Sequence, residues 1–352
     1  MSDRPVTTLS TILISVLSAF AVCIILLLSL SNNKGEALFY FFVYPFFSTY
    51  HTGNMLDSSA ILMLSGLGAA IAFRSGVFNL GGEGQVYLGA LIAAQLALIL
   101  NGLTPILAVP LILITSSVAS GMVGGASGLL RTRWNIDELI TTFLISSAMV
   151  PIIDYAISEP LRDATGYLLS TPPIPKEYAF LRLLKPSRLS ISIFLAVPIC
   201  LAAQYGVTKT VWGFEQRTSG LNRRFARYCA IPVGTYVVVP MALSSFLHGL
   251  AGSFTVLSTY HSAVQGSTSG IGWNGIAVAL IAENNPALVI PAALFFAFLD
   301  TATETAMLNT QFSFELSFVI RAVVFLFITA RGLQLRFLNG RPPGQKKSET
   351  VG

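Results

Sequence analysis

The sequence predicts an all-α, polytopic membrane protein of about ten spans. Three observations predict it. Apolar runs near or above the roughly 20 residues that cross a bilayer recur along the whole chain. Apolar residues make up 53% of the sequence and charged residues only 11%, where a soluble domain carries about a quarter charged, so there is no polar coat for a water-soluble chain of 352 residues. The basic residues gather in short loops and at the C-terminus, which is the pattern of the positive-inside rule. The net charge of +5 therefore describes topology and implies no nucleic-acid partner.

The elements follow in order. Arg4 precedes the apolar run Ile12–Leu30. That run is longer than the roughly 7–15 residues of a signal-peptide core, so it reads as an uncleaved first helix over 10–31. Phe39–Phe47 is apolar but too short to span, and Pro45 predicts an interruption there. Further helices are expected over 55–73, 85–101, 104–130, 138–157, 189–210, 231–257, 286–306 and 315–334, with a short, polar one over 270–284 that spans or re-enters. With ten spans both termini face the cytoplasm. Arg4, Arg74, Arg131, Arg133, the Lys209–Arg227 group and the tail from Arg331 then lie inside. The whole of 1–352 reads as one transmembrane permease domain, with an external loop 158–188, a cytoplasmic stretch 212–231 and a basic tail 336–352. Cys23, Cys200 and Cys229 lack metal-ligand spacing and read as small apolar side chains; no metal and no cofactor is expected.

The segment from Phe73 to Gln85 departs from this pattern. It places Arg74, Asn79, Glu83, Gln85 and four glycines between two apolar runs. Unwound backbone at membrane depth survives only where protein buries it or water reaches it, and Gly-broken helices build transporter binding sites. An ordinary cytoplasmic turn is the plainer reading, although it does not need Asn79, Glu83 and Gln85 together. Ser75-Gly76-Val77-Phe78-Asn79 is echoed by Ser269-Gly270-Ile271-Gly272-Trp273-Asn274, five helices later. That separation suits an inverted five-helix repeat, and chance similarity of Gly-rich segments competes with it. Phe78, Asn79, Glu83, Gln85, Trp273 and Asn274 are the candidate pathway residues, since rings and amides suit a heterocycle with a ribose or ribityl arm.

The chain carries no Walker A pattern, no H-E-x-x-H and no G-x-S-x-G, and its histidines (His51, His248, His261) are dispersed. Energy for pumping must then enter from elsewhere, and no enzymatic activity is expected of this chain itself. Attention moves to the stretch from Trp212 to Ile231, where Arg217, Arg223, Arg224 and Arg227 mix with Trp212, Phe214, Phe225 and Tyr228. Arg and aromatic residues together are enriched at protein contacts. Asn222 is placed to cap a short helix starting at Arg223. A solvated loop with interfacial aromatics is the bland alternative.

Residues 73–90, FRSGVFNLGGEGQVYLGA, resemble the signature of permease subunits in the nucleoside and simple-sugar branch of bacterial ABC importers, which includes riboflavin-type permeases. Gly213, Arg217, Gly220, Asn222, Ala226 and Ile231 are similar to the family's second landmark, and Gly270 to Leu280 followed by Pro286 to a third. The similarity covers roughly residues 55–335. It implies that 213–230 inserts into a groove on a cytoplasmic ATPase subunit, making Gly213, Arg217, Gly220, Asn222, Arg223, Arg224 and Arg227 coupling residues. It also implies a second permease subunit, a non-identical homologue in many such systems, an extracytoplasmic substrate-binding protein, and a place in the bacterial cytoplasmic membrane. The sequence departs from the family at Ala230, where a Gly is usual, and at Arg217-Thr218-Ser219-Gly220, where Arg-Ala-Val-Gly is common.

Ionisable residues inside expected spans are functional candidates by default. Here they are Asp57, Glu83, Asp154, Glu283, Asp300, Glu304, Glu315 and Arg321. Asp300 and Glu304 share a helix face, with Arg321 as a counter-ion, and Asp57 and Glu315 read as span ends. The contrasting function is an ion-coupled secondary transporter using Glu83, Glu283 or the Asp300/Glu304 pair as proton sites. A membrane-embedded enzyme is disfavoured because no catalytic set clusters.

Overall fold

The computed structural model describes residues 33–268 and 270–310, with single positions 21, 24, 25, 28, 319, 322, 323 and 326 besides. The expected first and last spans and the basic tail fall outside that continuous stretch. Arg4, Cys23, Ser269, Glu315 and Arg321 lie outside the described residues. The helices run Lys34–Leu38 (α1), Tyr44–Phe47 (α2), Thr49–Arg74 (α3), Gly82–Ile99 (α4), Pro105–Trp134 (α5), Glu138–Ser158 (α6), Ser192–Lys209 (α7), Val211–Leu221 (α8), Arg223–Tyr228 (α9), Thr235–Phe254 (α10), Ile271–Ile281 (α11) and Pro286–Asn309 (α12). Wider π-helical turns occupy Phe39–Val43 and Thr255–Tyr260. Among the described residues there is no strand, only the isolated bridges Ser170–Val264 and Arg182–Ser190.

The chain divides into two compact units, Met1–Pro45 with Leu299–Gly352, and Phe46–Phe298. The second holds both Gly-broken segments. Among the described residues, seven helices are long and apolar enough to cross a membrane: α3 to α7, α10 with its π-helical extension to Tyr260, and α12. The chain is thus an all-α polytopic membrane protein. Helix α11 has 11 residues and rises only about 16 Å, half of a bilayer core of roughly 30 Å. Pro45 does not break its helix as expected. It lies inside the continuous helical run Lys34–Phe47, just after the π-helical turn, and the chain leaves helical geometry only at Ser48 (φ −94°, ψ 117°).

Local chemistry sets the ends. Pro105 opens α5 at the position that needs no N–H, and Asn135 closes it in the left-handed region at φ 54°. The Asp137 carboxylate accepts from Leu139 N and caps α6. Burial separates centre from periphery. The most apolar window of α3 is 89% buried and that of α10 72%, against 22% for α6 and α7. Helices α5 and α10 pack antiparallel through a small-residue seam: Ser116 meets Ser253 (2.6 Å), Ser120 meets Gly249, Gly124 meets Ser245, and Gly128 meets Val238. Close backbone approach of this kind is how helices associate where lipid supplies no hydrophobic contrast.

Candidate functional site

Two interruptions of the helical path meet inside the second unit. The first runs over 75–81, between α3 and α4. Gly76 takes φ 65°, and a Cβ there would approach Gly220 O to 2.9 Å. The backbone freed by the break finds side-chain partners: Leu80 N donates to Thr142 Oγ1 (3.1 Å), and just beyond, Gly84 N donates to Ser146 Oγ (2.8 Å). Asn79 and Gln85 are at most 1% exposed and bond to each other. Asn79 Nδ2 lies 2.8 Å from Gln85 Oε1, 3.0 Å from Ser244 Oγ and 3.1 Å from Ser245 Oγ. Its Oδ1 accepts from Gly81 N and Gln85 Nε2. In this conformation the two amides face one another and α10, so they brace the break instead of opening onto a path. Phe78 is the outward member, 43% exposed and packed on Phe73 at 4.9 Å.

The second interruption follows the π-helical turn and leads to α11. Glu83, in the first turn of α4, reaches across to it: its two carboxylate oxygens accept from Gly270 N and Gly272 N, each at 2.9 Å. The carboxylate therefore lies at two helix N-termini at once, where both partial positive charges favour it. Gly272 is required here, because a Cβ would fall 2.1 Å from Glu83 N. Ser65 of α3 donates to Ile271 O (3.0 Å) and lies 3.1 Å from Nδ1 of the buried His248. Trp273 is exposed, edge-on to Phe143 at 6.4 Å, and Asn274 beside it is half-buried. Thus the six expected pathway residues fall on two sides of one junction, although Asn79, Gln85 and Glu83 spend their polar atoms within it.

The long loop 158–191 binds the second interruption by main-chain bonds. Thr171 N donates to Ala263 O (2.9 Å), Ile174 N to His261 O (2.8 Å), Phe180 N to Leu257 O (2.8 Å), and Gln265 N returns to Leu169 O (2.9 Å). Asp57, read from the sequence as a span end, is 2% exposed and accepts from four hydroxyls: Ser190 (3.2 Å) and Ser192, Ser258 and Thr259 (each 3.0 Å). It ties α3 to the end of the loop and to the π-helical turn. Asp154 accepts from Tyr87 Oη (2.6 Å), which itself accepts from Gly266 N. His261 follows at φ 58°, with Nε2 3.1 Å from Arg182 Nη2. Burial first, and Arg182 second, push its pKa below the usual histidine value.

The basic stretch forms two short helices clasped to the first break. Asn222 Oδ1 accepts from Arg224 N (3.1 Å) and Phe225 N (3.0 Å), so it caps α9 as expected. Gly213 turns tightly under Val207, and its N–H donates to Thr210 Oγ1. Gly220 lies on the end of α3, where a Cβ would come 2.5 Å from Arg74 O. Arg223 donates to Gly76 O (3.1 Å). Gln216, which sequence reasoning passed over, is fully buried and donates to Ile71 O (2.9 Å) and Ser75 Oγ (2.8 Å). Arg217, Arg224 and Arg227 point outward with Phe214, Phe225 and Tyr228. Ala230 adopts φ 58°, a left-handed conformation that costs a non-glycine residue about 1 kcal/mol.

The family description "Branched-chain amino acid transport system / permease component" matches residues 52–329. The chain is 30% identical to the probable riboflavin import permease protein of Treponema pallidum (strain Nichols), over 90% of this chain and 84% of that protein. It is 29% identical to the guanosine ABC transporter permease protein of Bacillus subtilis (strain 168), over 83% and 84% of the two chains. It is 27% identical to a nucleoside ABC transporter permease protein of Lactococcus lactis subsp. cremoris (strain MG1363), over 91% and 90%. No solved structure matches it.

Proposed function

The chain belongs to the branched-chain amino acid transport system / permease component family, and from that premise we propose that its cargo is a nucleoside-like solute: a nucleoside, a flavin or a simple sugar. The chain is a multi-pass permease subunit of an ABC transporter in the inner membrane. Such a subunit is not itself the hydrolytic part; ATPase and binding-protein partners are implied. The cargo class rests on the relatives, whose names cover riboflavin, guanosine and nucleosides, and on the rings of Phe78 and Trp273 and the amide of Asn274 beside the junction.

One observation carries the mechanism: Gln216, Gly220 and Arg223 all engage the end of α3 and the first break. A push on α8 and α9 thereby reaches Ser75 and Gly76 directly. From there Glu83 passes it to the second break through its two N–H partners. We assign Arg217 and Arg224, with Phe214 and Phe225, to the face that meets the ATPase. Phe78, Trp273 and Asn274 line the path, opposite the same region of a second permease subunit. Asn79, Gln85 and Glu83 govern the shape of the break. This is coupling of two states through packed elements and needs no chemistry in this chain. Both termini are cytoplasmic in this reading, and 158–191 meets the external binding protein.

Uptake of labelled guanosine, riboflavin and glucose by cells lacking the chain, and by cells carrying it with its neighbouring transporter subunits, tests the cargo. Restored uptake of one of them that competes with related solutes is expected. If all three stay at background while a branched-chain amino acid is taken up, the cargo class is wrong. Charge reversal at Arg217 and Arg224 is expected to abolish ATPase co-purification. Transport by the chain alone in vesicles with only a proton gradient would overturn the ATP-driven mechanism.

A further inference from the structure

Outside the junction, α5 and α10 enclose an apolar groove of about 560 Å³, lined by Val118, Met122, Ala126 and Leu129 on one side and Val239, Leu243 and Phe246 among others on the opposite one. At one end of the same helix pair sits a second cavity of about 340 Å³, where Arg131, Arg133, Arg223 and Arg227 stand opposite apolar Val233 and Val237. The two are collinear. Val118, Met122, Gly125, Leu129 and Thr132 recur at three- and four-residue spacing, so a single stripe of α5 runs from groove to arginines. On α10 the same passage runs from Phe246 through Ala242 and Val238 to Gly234.

Length and charge select an occupant. From Val118 to Leu129 the stripe rises about 17 Å, close to one leaflet of a hydrocarbon core of roughly 30 Å. Trp134, 64% exposed directly after Arg133, marks an interfacial anchor at the arginine end. Arg131 is paired with Glu138 at 3.0 Å, but Arg133, Arg223 and Arg227 have no carboxylate partner among the described residues. The pocket is therefore a cationic recess capping a leaflet-length apolar slot, the chemistry that basic pockets between membrane helices offer to anionic headgroups.

We propose that this face holds one anionic phospholipid, its acyl chain in the α5–α10 groove and its phosphate in the arginine pocket beside the coupling helices. The proposal rests on the membrane-spanning reading of the chain and not on its cargo. Because Arg223 also holds Gly76 O, the headgroup touches a residue that grips the first break.

Native mass spectrometry of the full chain, released from nanodiscs of phosphatidylethanolamine with one-fifth cardiolipin, tests it without any transport step. Retention of cardiolipin over phosphatidylethanolamine is expected. Arg133→Gln should weaken retention about fivefold and Arg133→Lys should restore most of it. Ala126→Trp, which fills the groove from an exposed position, should reduce retention as strongly while leaving the arginines intact. Equal retention of both lipids, or inorganic phosphate displacing the lipid at millimolar concentration with Ala126→Trp having no effect, would overturn the proposal. Cross-linking of Ala126→Cys between two copies in membranes would overturn it too, by making the groove a subunit interface. Failure of any uptake assay leaves these readouts unchanged.

Discussion

The two breaks are held by different kinds of bond. Side chains hold the first: Gln216, Arg223, Asn79, Thr142 and Ser146 each supply an atom to it or to the helix end beside it. The second adds four main-chain bonds to loop 159–191 beside side-chain ties from Glu83, Asp57, Tyr87 and Ser65. Side-chain bonds are cut one at a time and re-form in a new register with little cost. A main-chain ladder yields only if the whole segment moves. The first break is thus built to be worked by the coupling helices, and the second to be carried as a piece.

The largest test forces the breaks apart. Gly272→Ala puts a Cβ 2.1 Å from Glu83 N, backbone against backbone, and overpacking of this kind costs about 3 kcal/mol. Thermal unfolding in detergent should show a clear loss of stability and uptake should be abolished. A variant of normal stability would mean that the breaks do not meet at Gly272. Next comes Glu83→Gln, which preserves shape but leaves only one good acceptor for Gly270 N and Gly272 N, at about 2 kcal/mol. Uptake should fall at least tenfold with assembly intact; unchanged uptake would remove Glu83 from the relay.

Gln216→Leu sharpens the contrast. It keeps the volume but removes the donor to Ser75 Oγ and one of the two side-chain donors to Ile71 O, at about 1 kcal/mol. ATP hydrolysis by the assembled transporter should continue while uptake falls, and a proportional loss of both would argue against a latch. The smallest effect concerns pH at the second break. His261 has a lowered pKa in the folded chain, so its stabilising contribution is complete above the unfolded value of about 6.5 and is lost as pH falls through the folded value. Amides over 257–265, corrected for intrinsic exchange, should lose protection at pH 5.5 relative to 7.5, and His261→Asn should erase that difference.

The spans were legible because apolar runs of that length admit few alternatives, and the expected helices from 55–73 to 286–306 each have a counterpart from α3 to α12. Asn222 was legible as a cap because its signal is local. Gln216 was not, since its partners are a carbonyl and a hydroxyl about 140 positions away and nothing in its neighbourhood marks it. Asp57 misled for a related reason. Its nearness to an expected span end concealed four hydroxyls drawn from 190–192 and 258–259. The expected external loop 158–188 gave no hint of its partners at 257–265, because main-chain pairing leaves no trace in side-chain type.

The π-helical turn at Thr255–Tyr260 makes the gene unequally tolerant of length change. A π-helical segment carries one residue more than the α-helix it replaces, so loss of a single codon there would leave a regular, fully bonded helix. The chain after it would keep its register, while residues inside the turn would shift and take Ser258 and Thr259 off Asp57. A deletion harmless to the helix would therefore untie the turn from Asp57, and alleles of this gene are expected to keep the length of Thr255–Tyr260 and hydroxyls at 258 and 259 while its other residues vary.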